Sequence, residues 1–197
     1  MPPAPETRPS LLVRLRDPGD GEAWQLFVDL YAPLVYGLAR KRGLQDADAA
    51  DLTQEVCRTV TDAVRRLEYD PRKGTFRGWL YTIARNRLCD LMERTCRQPR
   101  GSGDSDVQVF LEAQPDRSEE RDVWEREYER QVFRWAADQV RDQFREATWK
   151  AFWLTAVDGK SVEEAGGSLG MSAGAVHIAR SRVLARLKEV IRPLLEE

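Results

Sequence analysis

Residues 161–194 constrain the fold more than any other stretch, because they predict a helix, a tight turn and a second helix. Ser161 and Glu164 have the spacing of a capping box, in which the two residues satisfy the first amides of a helix reciprocally. Gly170 permits the positive φ that a tight turn often needs, and Ser172 suits the N-cap of the second helix. The segment therefore predicts a helix-turn-helix, which occurs in DNA-binding domains and in ordinary helical hairpins.

The second helix of this segment has an apolar stripe and a basic opposite face. Its apolar residues recur at helical spacing; they are Val176, Val183, Leu187, Val190 and Leu194. Residues 180–192 hold five basic side chains and one acidic side chain. Small and polar residues at a helix start, followed by cations, are typical of a recognition helix in the major groove. A solvated basic face would have the same pattern, so the spacing alone leaves both interpretations open.

Length and residue usage limit the remaining possibilities. A chain of 197 residues predicts one or two domains. It has no apolar run near the roughly 20 residues that span a membrane and no apolar signal-peptide core at its start, so we expect a cytoplasmic protein without membrane contact. Cys57, Cys89 and Cys96 form no CxxC motif, and His177 is the single histidine. We therefore expect reduced thiols, no metal site and no cofactor.

Charge is segregated along the chain, although its formal net value is only −2. Residues 65–100 carry ten basic and four acidic side chains, a net of +6. Residues 46–62 and 104–129 have nets of −4 and −7. Basic segments between acidic ones indicate nucleic-acid contacts beside surfaces for a different partner.

Helical periodicity predicts an all-α fold of two small helical domains joined by a flexible linker, with the helix-turn-helix in the second domain. Pro33 should kink or split the helix that begins near Glu22. Gly, Ser, Pro and Asp dominate the stretch that we interpret as the linker. The predicted divisions are a disordered or partly helical tail at 1–20, a helical domain at 21–97, a linker at 98–117 and the second domain at 118–197.

Two predicted helices of the first domain present distinct outer faces. The helix at 46–67 turns acidic and polar side chains outward. The helix at 76–95 combines cations with aromatic rings, the composition that suits single-stranded DNA. On this helix we expect Trp79 in the core and Arg77, Tyr81, Arg85 and Asn86 outward.

Motifs for catalysis are missing from the sequence. It contains no P-loop, no GxSxG, no HExxH and no Cys–His pairing at useful spacing. We therefore expect a protein that is not an enzyme.

Three segments, in this order, carry a resemblance to a known family: DADAADLTQEVCRTV, FRGWLYTIARNRLCDLMER and SVEEAGGSLGMSAGAVHIARSRVLARL. They resemble the extracytoplasmic-function (ECF) sigma factors of the sigma-70 family over about residues 22–97 and 126–195. The resemblance implies a factor that binds core RNA polymerase and directs it to promoters. It also implies an anti-sigma factor as a candidate further partner.

The resemblance assigns roles to the first domain, which is similar to sigma region 2. Contacts with core polymerase are expected at Asp51, Gln54, Glu55 and Arg58. A pocket for a base flipped from the −10 element is expected at Tyr69, Lys73, Thr75 and Phe76. Contacts with the DNA backbone or neighbouring bases are expected at Arg77, Arg85 and Asn86.

The second domain is similar to sigma region 4, which implies that it reads the −35 element as duplex DNA. The candidate contacts are Ser172, Ala173, Gly174, His177, Arg180, Ser181, Arg182 and Arg186. Gly166 and Gly167 depart from the family pattern, and each should cost roughly 0.5–1 kcal/mol relative to alanine. The sequence His177-Ile178-Ala179 departs as well, so the −35 sequence is not predicted.

Two other classes of protein compete with this interpretation. A conventional helix-turn-helix regulator would use residues 161–194 without polymerase, but it leaves the DLTQE motif unexplained. A helical protein–protein adaptor would have no salt-dependent DNA affinity.

Overall fold

The computed structural model describes residues 11–65, 75–97 and 117–195. Over these ranges the chain forms eight α-helices and no β-strand, which confirms the predicted all-α fold. The chain divides into two compact units between Gln131 and Val132. Most of the predicted linker lies outside the described residues, and the predicted domain limits remain predictions.

The first unit contains short α1 and longer helices after it. Their bounds are Leu11–Arg14 for α1, Gly21–Lys41 for α2, Asp46–Val64 for α3, Phe76–Arg97 for α4 and Arg117–Arg141 for α5, whose residues up to Gln131 belong to this unit. The Asp20 carboxylate caps α2 by accepting a hydrogen bond from the amide of Ala23 at 2.9 Å. Arg14 binds the same carboxylate at 2.8 Å, which joins α1 to the start of α2.

Helix α2 continues unbroken through Pro33, so the split that we expected there does not occur. Proline has no amide hydrogen, so the carbonyl of Asp29, four residues earlier, loses its usual donor within the helix. The side-chain amide of Gln131 donates to that carbonyl at 2.9 Å. A residue of α5 therefore supplies the hydrogen bond that Pro33 cannot make.

The centre of the first unit is aromatic. Phe27, Tyr31 and Phe76 are each at most 1% exposed. The Tyr31 ring lies 5.6 Å from Phe76, edge to face, and stacks on Tyr128 of α5 at 5.4 Å. Trp79 packs on Phe76 at 5.5 Å but is only half-buried, so it lies at the edge of the core and not within it as expected. Helices α2, α4 and the first part of α5 thus share one core.

The second unit continues α5 from Val132 and adds α6 at Glu146–Ala156, α7 at Val162–Leu169 and α8 at Ala173–Leu195. Its apolar side chains form two clusters. The first contains Ala136, Val140, Phe152, Val183 and Leu187, and the second contains Ala151, Ala165, Val176 and Ala179. Helix α8 contributes to both clusters, so its orientation in this unit is fixed along much of its length.

The predicted caps and turn of the helix-turn-helix are confirmed in α7 and α8. The Ser161 hydroxyl accepts from the amide of Glu164 at 3.1 Å, and the Glu164 carboxylate accepts from the amide of Ser161 at 2.9 Å. Gly170 has φ 65°, the left-handed conformation that glycine adopts without strain. The Ser172 hydroxyl accepts from the amide of Ala175 at 3.3 Å. Local residues therefore determine where both helices start.

The two glycines inside α7 are not equivalent, which corrects our expectation that each only costs stability. A β-carbon at Gly166 would lie 2.7 Å from the backbone oxygen of Met171. The Gly166 carbonyl also accepts from the Met171 amide at 2.9 Å, so the turn passes close to the helix here. Gly167 has open space beside it. Gly166 is thus required by the turn, whereas the cost predicted for glycine applies to Gly167.

Candidate nucleic-acid and protein interfaces

Helix α3 presents an exposed polar stripe that contains all the residues predicted for core polymerase, namely Asp51, Gln54, Glu55 and Arg58. They lie on one side because Leu52, Val56 and Val60, between them, are buried. The Arg58 guanidinium donates to the Gln54 side chain at 3.4 Å. Arg87 of α4 lies 3.4 Å from the Glu55 carboxylate. The stripe is therefore a mixed surface of carboxylates, an amide and guanidinium groups.

Of the four residues predicted for the −10 pocket, the structure describes Thr75 and Phe76. Tyr69 and Lys73 lie outside the described residues. The Thr75 hydroxyl accepts from the amide of Gly78 at 3.1 Å and so caps α4. Phe76 is 1% exposed within the aromatic core, so it has no surface to offer a base. Asn86 is exposed.

Tyr81 was expected to point outward, but it is only 7% exposed. Its hydroxyl donates to the Glu120 carboxylate at 2.7 Å, and its ring lies 5.6 Å from Trp124. Both partners belong to α5. Burial raises the pKa of the Tyr81 hydroxyl.

The two arginines of α4 predicted to bind DNA are also partly buried and paired. Arg77 donates to Glu125 at 2.9 Å and lies 4.7 Å from the centre of the Tyr128 ring. Burial acts to lower the pKa of Arg77, but the hydrogen bond and charge of Glu125 outweigh it and the pKa is raised. Arg85 lies 3.5 Å from Glu120. Both cations are thus bound by carboxylates of the same chain.

The sequence analysis did not identify the contacts that Glu120, Glu125, Trp124 and Tyr128 make with α4. Two signals could have indicated them. The net charge of −7 in 104–129 complements the net of +6 in 65–100, and Trp124 and Tyr128 are one helical turn apart.

Helix α8 presents nearly all its predicted DNA contacts to solvent. Ser172, Ala173, Gly174, His177, Arg180, Ser181 and Arg182 are exposed. Arg186 is half-buried, and its guanidinium donates to Gln143 at 2.7 Å and to Glu189 at 2.8 Å. The start of α8 is therefore open, and Arg186 farther along is tied to its surroundings.

Neither a metal-binding cluster nor a membrane-spanning helix is found in the described ranges. No group of three or more His, Cys, Asp or Glu side chains there could hold a metal ion. None of the helices in those ranges is long and apolar enough to cross a membrane.

Comparison with known proteins gives one matching family model and several similar proteins. Residues 27–98 match the family model of sigma-70 region 2. ECF RNA polymerase sigma factor SigE of Mycolicibacterium smegmatis is 31% identical over 170 residues, which cover 82% of this chain and 57% of that protein. ECF RNA polymerase sigma factor RpoE of Cereibacter sphaeroides is 26% identical, with 88% of this chain and 91% of that protein covered. ECF RNA polymerase sigma factor ShbA of Streptomyces griseus is 30% identical, with 70% of this chain and 69% of that protein covered.

Proposed function

The chain belongs to the ECF RNA polymerase sigma factors, and we propose that it binds core RNA polymerase and directs it to promoters. Promoter DNA and core polymerase are its proposed partners, with an anti-sigma factor as a further one. A protein that works on core polymerase acts in the cytoplasm and needs no catalytic group of its own. The chain spans only 57% of the length of the SigE relative. The proposal therefore rests on the residues and surfaces of this chain.

The observation that carries the proposal is the combination of two surfaces in one chain. The exposed stripe of α3 lies inside the stretch that matches sigma-70 region 2. A capped helix-turn-helix with an open basic face follows in the second unit. A duplex-binding regulator needs only the second surface, whereas a sigma factor needs both.

We assign the α3 stripe of Asp51, Gln54, Glu55 and Arg58 to core polymerase, since its exposure leaves it available to a protein partner. The −10 element is assigned to Tyr69 and Lys73 together with Arg77, Arg85 and Asn86. Phe76 supports this surface from the core and is not proposed to contact a base.

The start of α8 is assigned to duplex DNA of the −35 element. Its outward residues from Ser172 to Arg182 are exposed, and the amides of its first turn can meet a phosphate. The predicted domain limits accompany this proposal: region 2 at 21–97, a linker at 98–117 and region 4 at 118–197.

Run-off transcription by sigma-free core polymerase on genomic fragments of the host tests the proposal. Addition of this protein should give discrete new transcripts, and the double variant Asp51→Ala with Gln54→Ala should lose them. Asp62→Ala is the matched control, because it removes an exposed carboxylate of α3 one turn beyond the stripe. Absence of transcripts together with tight duplex binding by the protein alone would overturn the proposal in favour of a conventional regulator.

A further inference from the structure

The outward face of α8 carries one large apolar side chain. Ile178 is 56% exposed, the highest value among the large hydrophobic residues in the described part of the chain. At 100° per residue it lies on the side of α8 away from the buried Val183. Single exposed apolar residues are ordinary on protein surfaces, so its position on the helix matters more than its exposure.

The neighbours of Ile178 leave it accessible to a large, negatively charged partner. Gly174, one turn before it, and Ser181, one turn after it, are small and exposed. Arg182, four residues after Ile178, lies one turn away on the same face and is exposed as well. A partner that approaches this face of α8 closely would meet an apolar group beside a cation.

Duplex DNA has the complementary arrangement. Phosphates line the major groove, and each thymine places a C5-methyl group in it. We propose that Ile178 contacts thymine methyl groups of the upstream promoter element and is a specificity-determining residue. This inference rests on the proposed function, because it takes α8 to be the helix that reads the −35 element.

Uracil substitution tests the contact, because uracil differs from thymine only by the missing methyl group. Holoenzyme assembled from core polymerase and the full chain is bound to an active promoter fragment. The matched fragment carries uracil only in the upstream element. Wild type should bind it about fourfold more weakly for each thymine methyl group that Ile178 touches, as expected for one buried methylene-sized group.

Ile178→Ala should bind both fragments equally, whereas Val157→Ala, an exposed apolar truncation outside α8, should keep the preference for thymine. Equal binding of both fragments by wild type, or an unchanged preference in Ile178→Ala, overturns the inference. Transcription from the thymine fragment in the same experiment reports separately on the proposed function.

A second, independent observation concerns the part of α5 that belongs to the first unit. The carboxylate of Glu120 is 8% exposed and binds Arg42 and Arg85 while it accepts from the hydroxyl of Tyr81. Glu125 binds Arg77 at 2.9 Å. Two carboxylates of α5 therefore engage four polar groups of α4 and of the segment that follows α2.

Aromatic and polar contacts hold this part of α5 in place. Trp124 and Tyr128 are each at most 3% exposed. Lys41 lies 3.0 Å from Glu127, and Gln131 donates to the carbonyl of Asp29. The first half of α5 is thus packed against the unit along its length, and its carboxylates are held at fixed positions.

Carboxylate and phosphate oxygens compete for the same guanidinium donors. Arg77 and Arg85 are eight residues apart on α4, which is about 12 Å along a helix. A nucleic-acid backbone that bound both arginines would have to displace Glu125 and Glu120. The docked helix and the backbone are therefore alternative ligands of one cationic surface.

We propose that residues 119–131 form an autoinhibitory helix that occupies the −10 surface of the protein away from its promoter. This inference also rests on the proposed function, since it takes Arg77 and Arg85 to be DNA contacts. Release of the helix would expose both guanidinium groups and the ring of Tyr81 together.

Isosteric neutralisation tests this device. Glu120→Gln with Glu125→Gln keeps side-chain shape and removes two charges. We expect the variant, without polymerase, to bind a single-stranded oligonucleotide of the non-template −10 strand about tenfold more tightly at low salt, as two regained phosphate contacts imply. Asp122→Asn with Glu129→Gln removes the same charge from exposed positions of α5 and should change affinity little.

Circular dichroism and thermal unfolding verify that each variant is folded. If the double variant does not fold, the single variant Glu125→Gln replaces it in the binding experiment, because Glu125 is the more exposed of the two carboxylates. Equal gains in both pairs, or no gain in the Glu120 and Glu125 variants, overturn the inference. Transcription by the wild-type protein is measured with the same preparation. Promoter-specific transcripts without a gain in DNA affinity would overturn the autoinhibitory helix and leave the proposed function standing.

Discussion

Helices α4 and α8 carry the cations that we propose for DNA, and these cations differ in what they already bind. Arg77 and Arg85 of α4 have side chains at most 20% exposed and are paired with carboxylates of α5. Arg180 and Arg182 of α8 are exposed and have no ion-pair partner among the described residues. A count of basic residues therefore gives the charge of a surface, but it does not show whether those side chains are available to bind DNA.

The largest expected effect tests whether α5 is part of the first unit. Trp124→Ala should lower the unfolding free energy of that unit by about 3–5 kcal/mol, since it empties a large buried site. Hydrogen exchange followed by mass spectrometry, resolved by segment, should show the loss in α2, α3 and α4. Val123→Ala, an exposed neighbour on α5, should change stability by less than about 0.5 kcal/mol; a similar loss in both variants would contradict the comparison.

A smaller effect is expected in the second unit. Gly166→Ala should destabilise it by about 1–3 kcal/mol, because the new methyl group would meet the Met171 carbonyl and force overpacking. Gly167→Ala should stabilise it by roughly 0.5–1 kcal/mol. Exchange protection in α7 and α8 measures both changes. The same sign in both variants would show that the turn does not approach Gly166 as described.

The third test concerns the hydrogen bond that replaces the one Pro33 cannot donate. Its loss should lower the unfolding free energy by about 1 kcal/mol. Gln131→Ala should destabilise α2 because the Asp29 carbonyl loses its donor. In a Pro33→Ala background the helix regains its own amide, so the same change should cost much less. A double-mutant cycle with zero coupling would rule out this compensation.

The smallest effect is a change in salt dependence. For the protein alone on duplex DNA of random sequence, Arg182→Ala should reduce the slope of log affinity against log salt by about 0.9. Arg77→Ala should leave the slope unchanged, because Glu125 already neutralises that cation. If both variants reduced the salt slope equally, the cations of α4 and α8 would be equally available to DNA, which would contradict the comparison.

Features set by neighbours in sequence could be predicted. The helix-turn-helix has its caps at Ser161 and Ser172 and its turn at Gly170, within one short segment. The outward stripe of α3 follows from helical periodicity alone. In these cases each residue and its partner are at most five positions apart or share one helix.

Features set by distant partners could not be predicted from local pattern. The hydroxyl of Tyr81 meets a carboxylate 39 residues later, and Arg77 meets one 48 residues later. The continuity of α2 through Pro33 depends on Gln131. The periodicity of α4 assigned Tyr81 outward because it could not include the apolar face that α5 brings to that side.

The pairing of Arg77 and Arg85 within the chain also bears on how the protein is distributed in a cell. A genome offers a million or more nonspecific sites, on the order of 10⁶–10⁹, and every unpaired cation increases the time a protein spends on them. A chain that neutralises its own α4 cations dissociates sooner from bulk nucleic acid. More of its copies then remain unbound, where they can encounter the proposed polymerase partner before they encounter DNA.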